Sequence, residues 1–473
     1  MKKKVLALLL AAAMTCSLAG CGGSSGNGES ASGDMASDEA GEEQDEASEE
    51  SSGTENEAGA ETAEGSGEEQ DFSGITLTIM STNENTFDGI DAVIAAAEEK
   101  FGFTVEYDIT GSGGEDYNNL VRSRLASGDM DDMIIYNSGA LFKQLNPKEY
   151  FMDFSGNPAI MDRLDESFAE VVSVDGATYG VPYSSSNAGG ILYNKATYKE
   201  LGLEIPHTWD DFLANCKAVQ EAGQTPIMCA FGDGWPGIVT QFGDYYNVHA
   251  ENPNFAQELD AGTTKWATTP AGIKSYQKVI DVAPYCNEDY MSTGYADACD
   301  RFAQGEGVHW IILTNVLSNL YSLYGNEVTD NIGVFGIPGD DPDNHGLTVW
   351  MPSAIYANKD TEHEEAVRAF IEFYVSEEAL DLYSSKVLPD GPYCIKGYEI
   401  PDNAFPAVRE DMQSYFDAGK TWSALEFSSS LEAADSIGVL QQLALGEITA
   451  EEGAAAIDKS LESYAIQLGL EWN

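Results

Sequence analysis

Basic residues are scarce in this chain. Its 473 residues include 23 lysines and arginines against 80 aspartates and glutamates, which gives a formal net charge of −57. So few cations cannot form the basic face that nucleic acid or an anionic lipid surface requires, which argues against both as partners bound through charge. The same imbalance disfavours anionic ligands and leaves neutral or cationic ones.

Cysteine and histidine are also rare, and neither is spaced for a metal. The seven cysteines form no C-x-x-C pair, and the five histidines are scattered without an H-E-x-x-H motif. A region this large needs no disulfides to be stable, so buried free thiols are expected, with a Cys286–Cys299 bridge as the alternative. The oxygen-rich segment Asp340–Asn344 lacks the full calcium-loop pattern and is predicted to be a solvated turn. No metal or other cofactor is expected. The cysteines that follow the N-terminal region are Cys216, Cys229, Cys286, Cys299 and Cys394.

Motifs of common enzyme classes and internal repeats are absent. The sequence has no G-x-S-x-G, no P-loop and no glycine-rich dinucleotide fingerprint after a strand. Glycoside hydrolases use a pair of carboxylates. Among so many acidic residues some pair always has a suitable spacing, so the presence of such a pair does not indicate an enzyme. The lack of repeats argues against an adhesin or structural surface protein. A non-enzymatic binding protein is expected, and a secreted, lipid-anchored glycoside-acting enzyme is the alternative.

The apolar run Val5–Ala13 is too short to span a bilayer as a helix. It follows Lys2–Lys4 and precedes small residues, which predicts that residues 1–20 are a secretory signal peptide. Leu18–Cys21 resembles the lipobox of bacterial lipoproteins. The resemblance implies that Cys21 is lipidated, becomes the mature N-terminus and anchors the protein on the outer face of the cell membrane. The alternative is an ordinary signal peptide with an incidental cysteine.

An acidic, low-complexity segment follows. Residues 22–71 contain 17 acids and no base, and consist mainly of Gly, Ser, Ala, Glu and Asp. Such a composition offers too little apolar surface to offset the entropy cost of ordering. Residues 21–71 are therefore predicted to be the lipidated cysteine and a disordered tether. The region of about 400 residues that remains exceeds the usual size of one hydrophobic core, so two lobes are expected.

The folded region starts with an α/β pattern. Alternating apolar residues predict strands around Ile75–Ile79 and Phe103–Tyr107, and Met133–Tyr136 reads as a third strand. Between them lie two helices, the first capped by Asp88. This alternation predicts a parallel sheet whose ligands bind at the carboxyl ends of the strands, at residues 81–87 and 136–138. Capping boxes are predicted at Thr208 and Thr449, and a single helix at 364–383.

Six strings in the right order between residues 73 and 470 resemble the extracellular solute-binding lipoproteins of ABC importers, in particular the carbohydrate-binding group. Three departures from the family pattern are Asp131, the Glu306–Val308 segment and the bulky Leu347–Met351 segment. The strings are Leu125–Ile134, Tyr179–Lys195, Pro206–Phe212, Phe302–Gly305, Val334–Gly339 and Leu443–Glu452.

The resemblance implies a two-lobe periplasmic-binding-protein-like (type II) α/β fold with a central cleft. Lobe I is predicted at 72–188 and 354–388, and lobe II at 189–353 and 389–473. Crossing segments are expected near 188–192, 349–355 and 388–393, acting as a hinge. The implied function is binding of an extracellular carbohydrate, in particular an oligosaccharide, and its delivery to ABC permease subunits in the membrane by a monomeric protein.

The candidate ligand-binding residues combine flat aromatic rings with polar side chains, as a sugar with apolar faces and a hydroxyl rim requires. Similarity to family positions selects Glu84 and Asn85 in the first strand-end loop. It also selects Tyr136 and Asn187, together with Trp310 and Trp422. Trp235 is selected because it lies in a glycine-rich loop, and Trp350 because it is unusual in a crossing segment. The full set is Glu84, Asn85, Tyr136, Asn187, Trp235, Trp310, Trp350 and Trp422.

Overall fold

The computed structural model describes residues 71–83, 85, 87–111, 114–431, 433–470 and 472. The predicted signal peptide, Cys21 and nearly all of the tether lie outside these residues. No helix within the described ranges has the length and apolar character needed to cross a membrane.

Strands and helices alternate along most of the described chain. The strands are β1 (Thr76–Thr82), β2 (Thr104–Thr110), β3 (Met133–Tyr136), β4 (Ser173–Val174), β5 (Ala177–Thr178), β6 (Gly180–Pro182), β7 (Asn187–Asn194), β8 (Ile227–Met228), β9 (His309–Leu313), β10 (Ile332–Gly336), β11 (Leu347–Trp350), β12 (Ala354–Ala357) and β13 (Thr421–Ser423). The helices are α1 (Asp88–Phe101), α2 (Gly114–Ser127), α3 (Ala140–Lys143), α4 (Pro147–Tyr150), α5 (Pro158–Met161), α6 (Glu166–Val171), α7 (Lys195–Leu201), α8 (Trp209–Glu221), α9 (Trp235–Phe242), α10 (Tyr245–Glu251), α11 (Phe255–Asp260), α12 (Pro270–Val282), α13 (Tyr295–Ala303), α14 (Val316–Tyr324), α15 (Asn326–Thr329), α16 (Glu364–Tyr374), α17 (Glu377–Ser384), α18 (Gln413–Asp417), α19 (Ser436–Ala444) and α20 (Ala450–Gln467). Short 3₁₀ turns at Trp266–Thr268, Ala283–Tyr285 and Leu425–Phe427 and a π-helical segment at Ala407–Met412 complete the set.

The first sheet has the strand order β2-β1-β3-β12-β6, with β1 parallel to β2 and β3 and with β12 antiparallel to its neighbours. Leu77 and Ile79 of β1 are fully buried, and α1 buries the face that carries Ile90, Val93 and Ala97. The predicted α/β start of the fold is therefore confirmed. Because the three strands run parallel, the loop after β1 and the residues after β3 meet at one edge of the sheet.

The second sheet is built around β7. Its strand order is β13-β11-β7-β9-β8, and β10 also pairs with β7. Asn187–Gly189 of β7 pair with β11, whereas Gly190–Asn194 pair with β10 along the same edge. β7 is apolar over most of its length and is buried from Ala188 to Tyr193, as expected for a strand covered on both faces.

The chain passes between the two sheets three times. Residues 183–186 join β6 to β7, residues 351–353 join β11 to β12, and the segment after α17 leads towards β13. The amide and hydroxyl of Ser186 donate to the carbonyl oxygen of Pro392 at 3.0 and 2.7 Å, which fastens the first passage to the third. Gly391 is required there because a Cβ atom would collide with the Ser186 carbonyl oxygen.

Two crossing segments lie close to their predicted positions, and one does not. Residues 188–192 lie inside β7, so the first passage is a few residues earlier than expected. The strand pairing explains the shift, because β7 already pairs with β11 from Asn187 onward. The predicted lobe boundaries, 72–188 with 354–388 and 189–353 with 389–473, stay predictions.

Helix starts agree with the sequence pattern in part. Thr449 and Glu452 form the predicted capping box. Thr208 caps α8 by accepting from the amide of Asp211, but the reciprocal backbone bond does not form. Asp88 is not a cap, because α1 already includes it as the first residue. Its carboxylate instead lies in the first turn, where the helix dipole favours negative charge.

The predicted single helix at 364–383 is two helices. The hydroxyl of Ser376 accepts from the amide of Ala379 and starts α17 after α16 has ended. A serine at this position favours a new helix start over continuation, because its side chain satisfies an otherwise unpaired amide.

The expectation that all five cysteines are free thiols is wrong. Cys229 and Cys286 form a disulfide, with Cα atoms 5.6 Å apart. Ile227 and Cys286 form an isolated β-bridge, so the chain after β8 is brought alongside the segment after α12. The alternative bridge between Cys286 and Cys299 is also wrong, because Cys299 is a buried free thiol, as are Cys216 and Cys394. The pairing is set by tertiary contact across 57 residues, which spacing did not reveal.

Candidate functional site: a cleft between the two sheets

A cavity of about 420 Å³ lies where the three passages cross. This volume is within the range of small-molecule sites in proteins. All three passages contribute to the wall, together with residues after β1 and β3. The lining consists of Asn85, Asn137, Ser138, Tyr183–Ser185, Asn187, Leu313, Trp350–Ser353, Tyr383, Val387–Asp390, Tyr393, Glu426 and Phe427.

Trp350 provides a flat aromatic surface in this wall. It is the last residue of β11 and is only partly buried. Its ring lies over Gly189 of the neighbouring strand β7, where any side chain would collide with it. The glycine therefore makes room for the indole and fixes its position at the cavity.

Asn187 faces Trp350 in the strand register and carries an unpaired oxygen. The two residues are direct partners in the β7–β11 ladder. The Oδ1 atom of Asn187 is buried and accepts no hydrogen bond from the described residues. Buried polar atoms are nearly always paired, and an unpaired one costs about 1–3 kcal/mol. A donor group from a ligand in the cavity would remove this cost.

Asp390 adds a carboxylate to the third passage. The Ser318 hydroxyl at the start of α14 donates to its Oδ1 atom at 2.6 Å, and the Asp390 amide donates to the hydroxyl of Ser185 at 3.2 Å. Burial raises the pKa of Asp390 to about 7, although the Ser318 hydrogen bond acts in the opposite direction. Ser318 therefore holds the side chain at the cavity, and Ser185 holds the backbone of the same residue.

Three tyrosines form the wall on the side of the first sheet. Tyr183 and Tyr383 pack edge to face at 6.4 Å, and Tyr383 packs in the same way against Tyr393 at 6.1 Å. Burial raises the pKa of all three phenols well above the usual value. They stay protonated at neutral pH and form a rigid, uncharged surface.

Three of the predicted site residues meet at this cavity: Asn85, Asn187 and Trp350. Asn85 lies just after β1, and its Nδ2 atom donates to the Ser81 hydroxyl at 2.8 Å. Glu84, from the same loop, lies outside the described residues.

Tyr136 and Trp310 lie in the hydrophobic core instead of the cavity wall. Each is only 1% exposed. The Tyr136 hydroxyl donates to Asn118 Oδ1 at 2.8 Å, and the Trp310 ring packs against Phe302 at 5.5 Å. Both belong to strands that are buried along nearly their whole length, so a large aromatic ring on either face is enclosed by core packing.

Trp235 and Trp422 are partly exposed but do not line the cavity. Trp235 is the first residue of α9, and its ring lies 5.0 Å from that of Tyr295. The Trp422 ring is stacked on His249, with centroids 3.5 Å apart and planes 9° from parallel. The structure therefore groups the eight predicted residues into three at the cavity, four elsewhere and Glu84 undescribed.

Sequence reasoning missed Asp390, Glu426 and the three tyrosines. The available signal for Asp390 was its position, a single acid in the otherwise uncharged stretch Val387–Cys394 of a predicted crossing segment. Tyr393 belongs to the same predicted crossing segment, and Tyr183 to the string Tyr179–Lys195. Glu426 and Tyr383 have no such signal, because tertiary packing alone brings them to the cavity.

The cavity wall contains two carboxylates, Asp390 and Glu426, and no Lys, Arg or His among the described residues that line it. The described ranges hold no group of three or more His, Cys, Asp or Glu side chains placed for a metal ion. In the segment Asp340–Asn344, the Asp343 amide donates to the Asp341 carboxylate at 3.0 Å in an exposed turn.

Residues 81–381 match the sequence profile of the family described as bacterial extracellular solute-binding protein. The chain is 25% identical over 311 residues to the multiple sugar-binding protein of Streptococcus mutans, covering 63% of this chain and 68% of that protein. It is 23% identical over 361 residues to the melibiose/raffinose/stachyose-binding protein MelE of Bacillus subtilis, covering 72% of this chain and 80% of MelE.

The structure superposes on apo RafE from Streptococcus pneumoniae with a TM-score of 0.69 at 20% identity, over 84% of this chain and 98% of RafE. This likeness confirms the two-lobe, type II binding-protein fold.

Proposed function

Because this chain belongs to the family of bacterial extracellular solute-binding proteins, we propose that it binds an oligosaccharide in the cleft and delivers it to an ABC-type membrane permease. The observation that carries this proposal is the pair formed by Trp350 and Asn187. A partly exposed indole lies beside a buried amide oxygen that lacks a donor.

A saccharide satisfies both halves of this arrangement. The apolar C–H face of a sugar ring packs on an aromatic plane, and its hydroxyls donate to fixed acceptors. The cavity offers further hydroxyls and amides at its rim, namely Asn85, Asn137 and Ser184. The names of the similar proteins support oligosaccharides such as raffinose and stachyose as first candidates.

We assign the ligand contacts to Asn85, Asn187 and Trp350 from the predicted set. The two lobes, 72–188 with 354–388 and 189–353 with 389–473, would close over the sugar by rotation at the three passages. The protein acts as a monomer and uses no metal or other cofactor in this proposal.

The anchoring proposal concerns the N-terminal region. Residues 1–20 serve as the signal peptide, and Cys21 carries the lipid that holds the protein at the cell surface. Replacing Cys21 with Ala should release the protein from membranes and abolish lipid labelling. Retention of both in the variant would contradict lipidation at Cys21.

A thermal-shift screen across mono- and oligosaccharides tests the binding function. A ligand at one hundred times its Kd stabilises the folded state by about 2.7 kcal/mol, so raffinose or stachyose should raise the melting temperature. Absence of a shift with every saccharide would contradict the proposal.

Equilibrium dialysis separates the binding protein from the glycoside-acting enzyme. A binding protein returns the bound oligosaccharide unchanged, as chromatography of the recovered sugar would show. Recovery of shortened products would favour the enzyme instead.

A further inference from the structure

Asp390 places a carboxylate group in the wall of the cleft, where most other polar side chains are amides or hydroxyls. Its carboxylate accepts from the Ser318 hydroxyl at 2.6 Å and from the backbone amide of the same residue, and Ser318 is its only side-chain partner among the described residues. An ionised carboxylate has about four acceptor sites, so acceptor sites remain for a ligand in the cavity that Asp390 lines.

The charge of Asp390 is also uncompensated. The described residues provide no ion pair to it, and the described lining of the cavity contains no basic side chain. An anionic group placed beside Asp390 would meet repulsion from its carboxylate, whereas hydroxyl groups would find a strong acceptor there.

The carboxylate is positioned by its neighbours. Ser318 on α14 and Ser185 on the first passage hold the side chain and the backbone of residue 390. The unpaired Oδ1 atom of Asn187 belongs to the wall of the same cavity. An amide oxygen without a donor and a carboxylate with acceptor sites to spare, in one cavity, are the complement of a ligand that carries several hydroxyl groups.

We propose that Asp390 is a specificity-determining residue whose ionised carboxylate accepts hydrogen bonds from the hydroxyls of a neutral saccharide and disfavours anionic saccharides such as uronates. The proposal rests on the proposed function of the cleft and adds to it the charge class of the ligand and the residue that selects it.

The ionisation of Asp390 makes binding depend on pH. Burial raises the pKa of Asp390 to about 7. The groups that face it are Tyr383 of α17, Tyr295 of α13 and Tyr393 of its own segment, and the pKa of each is raised. Ser318 of α14 is its uncharged partner, and Glu426 is the other carboxylate of the cavity.

The tyrosines stay neutral at and below pH 8, so the affinity should follow the ionised fraction of Asp390. That fraction changes about tenfold between pH 8 and pH 6 for a pKa near 7, and the apparent Kd should rise by the same factor on acidification.

Calorimetric titration of the full chain with raffinose and stachyose at pH 8 and pH 6 tests the proposal, with Asp390→Asn as the variant. The matched control is Asp330→Asn, an exposed acid at the end of α15. We expect Asp390→Asn to lose about tenfold or more in affinity at pH 8 and to lose the pH dependence, because a neutral amide is a weaker acceptor than a carboxylate. The control should keep the affinity and the pH dependence of the parent.

Two further readouts separate a ligand contact from a structural role. The variant without ligand should melt at the same temperature as the parent at pH 8, or higher, since it no longer buries a charge. The parent should bind raffinose much more tightly than trigalacturonate. In Asp390→Asn the ratio of the Kd for trigalacturonate to the Kd for raffinose should be smaller. The variant Ser318→Ala should weaken binding less than Asp390→Asn does.

Three results would overturn the proposal. If Asp390→Asn binds raffinose and stachyose within twofold of the parent, Asp390 is not the selecting residue although the cleft still binds sugar. If the variant loses affinity only together with a large fall in melting temperature, the role of Asp390 is structural. If the parent binds no saccharide, the proposed function fails, and this proposal fails with it.

Discussion

Trp310 and Trp350 belong to the same sheet but differ in exposure, and this difference decides what each contributes. Trp310 is 1% exposed and packs between Tyr295 and Phe302, whereas Trp350 lines the cavity. Burial of an indole stabilises the fold, and a partly exposed indole in a cleft is available to a ligand.

Truncation of Trp310 should therefore affect folding. We expect Trp310→Ala to lower the free energy of unfolding by about 3–5 kcal/mol, since it removes a large side chain and leaves a cavity. Chemical denaturation without ligand measures this change. A loss below about 1 kcal/mol together with a large loss of sugar affinity would instead place Trp310 in the binding site.

The same distinction limits what the sequence could predict about the site. Asn85, Asn187 and Trp350 follow strand ends or chain crossings, so their proximity could be inferred from the α/β pattern and the family resemblance. Tyr136 and Trp310 satisfy the same pattern but point into a core. A sequence pattern places a residue near a strand end, and only packing determines on which side its ring lies.

At the scale of elements, local sequence signals predicted the helices and strands that depend on neighbouring residues alone. The alternation in β1, the apolar face of α1 and the capping box of α20 are of this kind. The break between α16 and α17 and the Cys229–Cys286 disulfide were missed. The first depends on one competing cap at Ser376, and the second on a tertiary contact.

The capping box of α20 should contribute to the stability of the folded protein. Thr449 accepts from the amide of Glu452, whose carboxylate accepts in return from the amide of Thr449. Thr449→Ala should lower the free energy of unfolding by about 1 kcal/mol, because it leaves a helix amide unpaired. Thr449→Ser is the matched control and should keep most of this stability in denaturant titrations. Equal stability of all three proteins would show that the cap contributes nothing.

The buried His309 of β9, in the second sheet, should make the stability of the protein sensitive to acid. Its ring is fully buried between the Tyr198 hydroxyl and the Pro226 carbonyl oxygen, both 2.8 Å away, and burial lowers its pKa to about 4. The unfolded chain takes up a proton near the ordinary histidine pKa of about 6.5, so stability should fall as the pH is lowered from there towards 4.

Comparison with His309→Gln, measured by thermal unfolding between pH 7 and pH 4.5, isolates this contribution. The variant should be less stable than the parent at pH 7, and the difference should shrink on acidification. A difference that stays constant over this range would contradict the titration of His309.

At the scale of the whole molecule, the three passages are the only places where the described chain moves from one sheet to the other. Few covalent connections between two lobes permit a hinge rotation that closes the cleft on a ligand. Small-angle scattering should give a smaller radius of gyration with saturating stachyose than without it. An unchanged radius with a ligand shown to be bound would contradict closure.

Binding of an oligosaccharide in the cleft against Trp350 is tested by isothermal titration of raffinose and stachyose into the full chain, into Trp350→Ala and into Trp422→Ala. Trp422 is the matched control, since its ring is also partly exposed but is stacked on His249 away from the cavity. We expect saturable binding to the parent and to Trp422→Ala. Trp350→Ala should lose about tenfold or more in affinity at an unchanged melting temperature without ligand. Full affinity in Trp350→Ala, or no binding by the parent, would contradict this expectation.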